Sequence, residues 1–286
     1  MPEAERRPRV TACMPAWNAA AFIGPVLASL AAQTYPELEL LISVDACGDG
    51  TGELCAAFAA ARPWVTVLRQ PARLGWIGNA NALLRAARGD YVFFAFHDDP
   101  LHPDYVERLV GALERAPGAV LAFCDVDSNA GPFRYDVLDG VDDRFERARR
   151  VLLQRGEWWV PNRGLIRAGA VKALGGMRPH LAGEANADLP WLLRLALLGA
   201  FVRVPAPLIA KAFRANGLSA SWQTDARRRL AVQLACVDVV RGAGFTASQT
   251  LRLCAEAAAF ALRLELWSLR QRFRRERYAG ERAQRG

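Results

Sequence analysis

Mostly apolar stretches alternate with segments of helical spacing along the first half of the chain. Runs at 10–14, 38–44, 65–68 and 91–96 predict buried strands. After Asn18, a candidate helix cap, apolar residues recur every three or four positions. Strands that alternate with such helices form mostly parallel sheets joined by right-handed crossovers. The pattern therefore predicts an α/β fold.

The same pattern predicts the connections and the remaining elements. Thr51 is a candidate cap of the second helix, and a loop at 71–78 should precede a short helix at 79–87. Further predicted elements are helices at 103–116 and 189–198 and strands at 120–124, 165–166, 201–204 and 208–213. Residues 125–156 lack periodicity, which fits either a mobile lid over a binding site or a surface loop.

Acidic residues directly follow two of the predicted strands. Asp45 ends the second strand, and Asp98 and Asp99 follow the fourth. Ligands of open α/β sheets bind outside the carboxyl ends of the strands, where Trp17 should also lie. Neighbouring carboxylates can hold a divalent cation against a diphosphate, although Asp99 also fits as a cap of the next helix. Together these side chains suit a nucleoside diphosphate.

Composition is that of a globular protein from a reducing compartment. With 286 residues, 52% of them hydrophobic, the chain can bury one sizeable core and a smaller appendage. Its six cysteines lack a C-x-x-C spacing and its first ten residues lack a signal-like apolar segment, so we expect a cytoplasmic location. No window of 18 apolar residues is free of charge, and we expect no membrane span.

Four segments resemble family 2 glycosyltransferases of the GT-A fold, over roughly residues 9–221. In chain order they read RVTACMPAWNAAAFIGPVLASLAAQT, LLISVDACGDGT, RLGWIGNANALLRAARGDYVFFAFHDDPLHPDYV and ADLPWLLRLALLGAFVRV. The resemblance implies a GT-A domain at 1–221, with a nucleotide-sugar donor half at 1–124 and an acceptor half at 125–221. It further implies sugar transfer with inversion from a nucleotide donor, usually UDP-linked, assisted by Mg²⁺ or Mn²⁺.

The resemblance also assigns candidate site residues. Those for the donor are Pro15, Ala16, Trp17, Asn18, Asp45, Arg73, Asn79 and Asp98. Asp98 falls on the metal-holding Asp of the family's D-x-D motif, and Asp99 is a second candidate metal ligand. Trp17 would stack on the base, and Asp45 would bind the base or ribose. Ordinary packing, turn and capping roles remain the alternatives, and His97 fits either a metal ligand or a hydrogen-bonded residue.

Asp188 is the candidate general base, because it falls on the Asp of the family's Glu/Asp-Asp motif. Its place two residues before Pro190 also fits a helix cap. Glu184 is then the substitute base. Trp158 and Trp159 are candidates for stacking on the acceptor sugar, with burial in the core as the alternative.

Four positions depart from the family pattern. Phe96 stands for the first Asp of D-x-D, Ala80 for an Arg, Ala187 for the first acid of the base motif and Asn216 for a His. That His belongs to a closing segment matched by Arg214, Asn216, Ser219 and Ser221. A nucleotide-sugar-binding or scaffold protein without turnover is therefore an alternative. A sugar-phosphate nucleotidylyltransferase is another, although it would need a Gly-rich basic loop after the first strand.

Residues 222–286 should form a helical extension with a basic tail. We predict helices at 222–241 and 247–275, the second of which could pack on the domain, pair with another subunit or lie on a membrane surface. The tail contains Arg270, Arg272, Arg274, Arg275, Arg277, Arg282 and Arg285. The net charge of +8 suits anionic partners, including peripheral contact with the inner membrane face. Charge is the only feature that suggests nucleic acid, and we expect no such partner.

Overall fold

A seven-stranded sheet in the order β3-β2-β1-β4-β6-β5-β7 forms the centre of the molecule. The computed structural model describes residues 6–213 and 226–283. The strands are β1 Val10–Ala16, β2 Leu38–Val44, β3 Val65–Arg69, β4 Tyr91–Phe94, β5 Ala119–Ser128, β6 Leu165–Arg167 and β7 Ala200–Lys211. Every residue of β1 and β4 is buried, as expected of apolar strands covered on both faces.

Helices flank the sheet, and further helices form the C-terminal part of the chain. They are α1 Ile23–Ala31, α2 Thr51–Ala60, α3 Gly75–Ala86, α4 Tyr105–Arg115, α5 Arg144–Leu152, α6 Ala168–Leu174, α7 Asp188–Leu198, α8 Ala226–Arg241 and α9 Ala247–Ala283. A 3₁₀ helix at Val160–Arg163 precedes β6. The α/β prediction is confirmed by this arrangement.

The direction of the strands determines which residues can meet. β1 pairs in parallel with β2 and β4, and β2 pairs in parallel with β3. β6 runs antiparallel to both β4 and β5. The carboxyl ends of β1, β2 and β4 therefore share one edge of the sheet with the amino end of β6. The short 3₁₀ helix arrives at this same edge.

Three predicted helix starts were wrong. α1 begins at Ile23, and Asn18 lies outside it in a left-handed conformation with φ of 48°. Thr51 is the first residue of α2 instead of its cap, and its N–H donates to Asp49 over 3.1 Å. α3 begins at Gly75, inside the predicted loop, because distant carboxylates accept its first N–H groups.

The segment at 125–156 contains regular structure that we did not predict. β5 continues to Ser128, and α5 packs on α7 through the apolar positions of a segment rich in Arg and Glu. Arg147 is buried there, and its guanidinium donates to the backbone oxygens of Ala196, Val141 and Asp142. The many charged residues hid the apolar face of this helix in the sequence. Because α5 is packed on the domain, residues 125–156 do not form one continuous lid or loop.

The two strands predicted near residues 201–213 are one strand. β7 pairs in parallel with β5, with irregular register around Asp125, and continues through Pro205 and Pro207. Proline is tolerated because β7 is an edge strand, where a missing N–H need not interrupt the sheet. The two prolines between the predicted strands therefore lie within one edge strand.

Helices α8 and α9 pack on each other and against α7 and α5. An ion pair between Arg149 and Glu256 joins α5 to α9. Within the described residues, no helix combines the length and apolar character needed to cross a membrane. The predicted boundary at residue 221 and the closing segment with Arg214, Asn216, Ser219 and Ser221 lie outside the described residues. The same holds for the side chains of the basic tail after Arg270.

Asp143→Ala should lower the free energy of unfolding by about 1 kcal/mol. The Asp143 carboxylate accepts the Glu146 N–H over 2.7 Å and so caps α5. Urea denaturation measures the change. Asp142→Ala is the matched control, because both carboxylates act on the charge of Arg147 but that of Asp142 has no hydrogen bond with the described residues, so this change should lower stability much less. Equal losses in both variants would contradict the capping role.

Candidate active site

Hydrogen bonds connect the carboxyl ends of β1, β2 and β4. The Asp45 N–H donates to the Ala16 oxygen over 2.9 Å. His97, after β4, is 2.8 Å from the Pro15 oxygen through Nδ1, and its ring stacks on Phe22 at 5.4 Å. The hydrogen-bonded alternative for His97 thus has a specific partner. Pro15 and Ala16 are buried within β1.

An aromatic ring and a cation face each other beyond β1. The guanidinium carbon of Arg73 lies 3.8 Å from the centroid of a Trp17 ring. Arg73 is exposed and Trp17 is partly buried, so both remain reachable from solvent. Asn18, the next residue, is exposed. These predicted donor residues therefore lie together at the sheet edge.

Asp45 caps helix α3. Its carboxylate oxygens accept the N–H groups of Leu74, over 2.6 Å, and Gly75, over 2.9 Å, and the residue is only 2% exposed. Asn79 is also buried, and its Nδ2 donates to the Ser43 oxygen over 3.0 Å. Both predicted donor residues thus attach α3 to β2.

Glu184 accepts the next two N–H groups of the same helix. Its oxygens lie 3.0 Å from the Trp76 nitrogen and 2.9 Å from the Ile77 nitrogen. With Asp45, it satisfies all four donors of the first turn, where the helix dipole favours negative charge. We call Asp45 and Glu184 the α3 clamp. As a substitute base, Glu184 would have to leave this clamp.

Gly75 allows Glu184 to come this close. It adopts a φ of 74°, and a Cβ at this position would lie 2.5 Å from Glu184 Oε1. Any larger residue would therefore push the carboxylate away or strain the backbone.

The two aspartates after β4 have different surroundings. Asp99 is 2% exposed and accepts from Arg163 Nε over 2.6 Å and from Lys211 Nζ over 3.0 Å. Burial alone would raise the pKa of Asp99, but these two cations hold it below its usual range. Asp98 is partly buried and has no hydrogen bond or ion pair with the described residues. Of the pair, only Asp98 has its carboxylate available to a metal.

Arg163 is a central residue that the sequence analysis missed. Besides pairing with Asp99, its guanidinium lies 4.8 Å from the Phe96 ring and 4.7 Å from the Trp159 ring. Phe96 in turn packs on Trp76 at 5.7 Å. An aromatic residue at position 96 thus supports both Arg163 and the start of α3. Arg163 reaches this edge because β6 is antiparallel, and the predicted mostly parallel sheet did not indicate which strand would reverse.

Asp188 is the first residue of α7 and faces the 3₁₀ helix. Asn162 Nδ2 donates to its Oδ2 over 3.3 Å, and no side-chain bond caps the helix. Burial raises the pKa of Asp188 to about 6, although the charge of Arg163 and nearby backbone N–H groups oppose the shift. Asn162 is 3% exposed, and its Oδ1 has no partner among the described residues.

The two candidate acceptor tryptophans are partly buried. Trp159 packs edge-on against Phe133, at 5.3 Å, and Phe213, at 6.0 Å, and its Nε1 donates to Glu157. Trp158 packs against the hydrophobic core. Their sugar-stacking role stays a prediction.

Two of the departures from the family pattern are fully buried. Ala80 and Ala187 are both 0% exposed. An Arg or a carboxylate at either place would need a buried partner, since isolated buried charges are costly. Small apolar residues at these positions therefore agree with the packing.

A divalent metal is compatible with this edge through a single carboxylate. In the described part of the chain, no group of three or more His, Cys, Asp or Glu side chains could hold a metal ion. Mg²⁺ commonly needs only one or two carboxylates, because water and substrate phosphates supply its other ligands. Asp98 meets that requirement.

Comparison with known proteins identifies the domain that builds this edge. The sequence profile described as "Glycosyl transferase family 2" matches residues 11–164, more than half of the chain. The chain belongs to glycosyl transferase family 2. This family 2 glycosyltransferase domain includes the sheet edge with Trp17, Asp45, Asp98 and Arg163. The match gives no support to the nucleotidylyltransferase alternative.

Relatives and solved structures agree with the family. Over 71% of its own length, the present chain is 30% identical to the uncharacterized protein MT1568 of Mycobacterium tuberculosis. Over 46% of its own length, it is 29% identical to the glycosyltransferase GlyA of Streptococcus pneumoniae. It spans 66% of the first protein and 19% of the second.

Two solved structures share the fold. TarS 1-349 of S. aureus, in complex with UDP-GlcNAc, superposes with a TM-score of 0.72 and 14% identity, covering 88% of this chain and 72% of that one. The mannosyltransferase PcManGT of Pyrobaculum calidifontis, in complex with GDP-Man and Mn²⁺, superposes with a TM-score of 0.62 and 21% identity. This match covers 95% of the present chain and 76% of PcManGT. The GT-A fold prediction is confirmed.

Glu184→Ala should destabilise this domain by about 2 kcal/mol, since two N–H groups lose their acceptor at a helix N-terminus. Urea denaturation measures the loss. Glu53→Ala provides the control, because the one ion pair that Glu53 forms with the described residues is an exposed one with Arg69, and the change should alter stability by less than about 1 kcal/mol. A Glu184→Ala protein as stable as the wild type would argue against the α3 clamp.

Proposed function

We propose that this domain transfers a sugar, with inversion, from a nucleotide-sugar donor to an acceptor hydroxyl, and that Asp188 is the general base. The observation that carries the proposal is the position of Asp188 within a family 2 domain: it is the first residue of α7, is partly buried and accepts a hydrogen bond from Asn162 of the 3₁₀ helix. Burial also raises its pKa to about 6. A carboxyl with this pKa is largely ionised at neutral pH and is still a stronger base than an ordinary Asp.

The donor is proposed to lie over the ends of β1 and β2. Trp17 offers a face for the base, and Arg73 beside it offers a positive charge for phosphate. A UDP-linked donor is our first choice, in keeping with the UDP-GlcNAc bound by TarS, while PcManGT was solved with GDP-Man. Asp45 contributes by holding α3 in place, and a contact with the base or ribose would have to use the carboxylate lone pairs that Leu74 and Gly75 leave free.

A divalent cation, Mg²⁺ or Mn²⁺, would be held by Asp98. When bound, it would neutralise charge on the leaving diphosphate. Asp99 instead holds Arg163 and Lys211, so it supports the site without serving as a ligand.

Asp188 would take the proton of the acceptor hydroxyl as its oxygen bonds to the anomeric carbon. The bond from that carbon to the diphosphate oxygen breaks on the opposite face, and the electron pair leaves with the diphosphate. Asn162 fixes the carboxylate through its Nδ2, and Arg163 supplies positive charge nearby. General-base catalysis of this kind contributes about 10²- to 10⁴-fold.

A nucleotide-sugar-binding protein without turnover is the second candidate. Phe96 favours it, because this residue is enclosed by Trp76 and Arg163 and supplies no carboxylate to the donor. Screening UDP-, GDP- and dTDP-sugars for slow hydrolysis separates the two: binding without hydrolysis or transfer supports the second candidate.

UDP, GDP or dTDP with Mn²⁺ should raise the melting temperature, because a ligand at 100 times its Kd stabilises by about 2.7 kcal/mol. In Asp98→Ala the metal-dependent part of this shift should disappear. Asp238→Ala, on α8, is the control and should keep the full shift. If Asp98→Ala retained it, Asp98 would not hold the metal.

Asp188→Asn should lower kcat by about 10²- to 10⁴-fold and leave the nucleotide-dependent thermal shift unchanged. In the wild type, kcat/KM should fall about tenfold per pH unit below pH 6, as the base becomes protonated. Unchanged turnover in Asp188→Asn would exclude Asp188 as the base.

The pH dependence of the free energy of unfolding should reveal the titration of Asp188 in the absence of substrate. The pKa of Asp188 in the folded chain lies above that of an unfolded Asp, about 3.9, so the folded state binds this proton more tightly. Its stabilising contribution is complete below pH 4 and is lost as the pH rises through 6. The melting temperature of Asp188→Asn relative to the wild type should therefore increase between pH 4 and pH 7.

A further inference from the structure

Helix α9 has an inner face that packs on the domain and an outer face that is apolar. Leu253 and Ala257 are buried on the inner side. On the outer side, exposed apolar residues recur every three or four positions; they are Leu251, Ala255, Ala258, Leu262 and Leu266. We call these five the outer stripe. It extends for about 22 Å, and its leucines are 72%, 62% and 47% exposed in chain order.

A line of arginines runs beside the outer stripe. Arg252, Arg263 and Arg270 are all exposed, and their spacings of 11 and 7 residues bring them to one side of the helix. The acidic residues among the described side chains of α9 are Glu256 and Glu265. Glu256 pairs with Arg149 and with Arg252 of this line, and Glu265 pairs with Arg229. The outer surface is therefore apolar and cationic.

We propose that the outer stripe lies on an anionic phospholipid surface, with α9 parallel to the membrane plane and with Arg263 and Arg270 at the lipid phosphates. Amphipathic helices rich in Arg, with exposed Leu and Trp, bind such surfaces by apolar insertion and charge attraction. Trp267, 60% exposed on the arginine side, suits the headgroup region.

The charges favour a lipid surface over a second copy of the chain. Two copies packed stripe to stripe would bring their arginines close together. Both carboxylates of the described part of α9 already have partners, so they would not neutralise the arginines of a second copy. Neighbouring α8 adds exposed Leu230 and Leu234, which further increases the apolar surface of the packed helix pair.

Co-sedimentation of the full chain with phosphatidylcholine vesicles, with and without phosphatidylglycerol, tests the proposal. Binding should need phosphatidylglycerol and weaken at high salt. Replacing Arg263 and Arg270 by Gln should weaken it about 30-fold, from about fivefold per charge. Replacing Leu262 and Leu266 by Gln should weaken it more than about tenfold.

Control variants elsewhere keep the test specific. Leu54→Gln on α2 and Arg115→Gln on α4 also change exposed residues and should bind vesicles like the wild type. Circular dichroism and melting temperature establish that each variant is folded. The proposal is overturned if folded stripe variants bind like the wild type, or if phosphatidylglycerol has no effect on binding. Light scattering that shows a dimer, dissociated by the leucine changes, would overturn it in favour of a second copy.

Discussion

The first turn of α3 has four backbone N–H groups without helical partners, and two carboxylates from distant parts of the chain accept all of them. Asp45 comes from the end of β2, and Glu184 comes from the loop before α7. Both are attracted by the positive end of the helix dipole. Since Glu184 lies four residues before Asp188, the α3 clamp also fixes the loop that carries the proposed base against the donor side of the sheet.

Arg163 connects the two halves in a second way. Its charge neutralises buried Asp99, its flat face contacts Phe96 and Trp159, and its field opposes the rise in the pKa of Asp188. Asp99 and Arg163 are mutually dependent, because removing either would leave a buried charge poorly compensated. One cation therefore acts both on the turn that carries Asp98 and Asp99, through Asp99, and on the proposed base.

The sequence predicted the sheet and its edge well, because buried parallel strands leave long apolar runs that end in polar residues. It failed where stabilising groups came from elsewhere in the chain. The start of α3 depends on Glu184, more than 100 residues away, and no local pattern indicates such a cap. Arg163 was missed because the direction of β6 is not encoded in a three-residue strand. Asp98 and Asp99 look equivalent in sequence, and only the positions of Arg163 and Lys211 distinguish them.

The prolines of β7 protect the sheet from unwanted association. A twelve-residue strand at the rim of a sheet could offer backbone groups to another extended chain, but both ends of β7 already have partners. The Phe201 oxygen accepts the Gly140 N–H, the Leu208 oxygen accepts the His102 N–H, and the Ala210 N–H donates to the Pro100 oxygen. Pro205 and Pro207 are exposed and lack N–H donors, so a foreign strand cannot form a continuous ladder there. The middle of this edge, where the two prolines lie, is thus poorly suited to pairing with another chain.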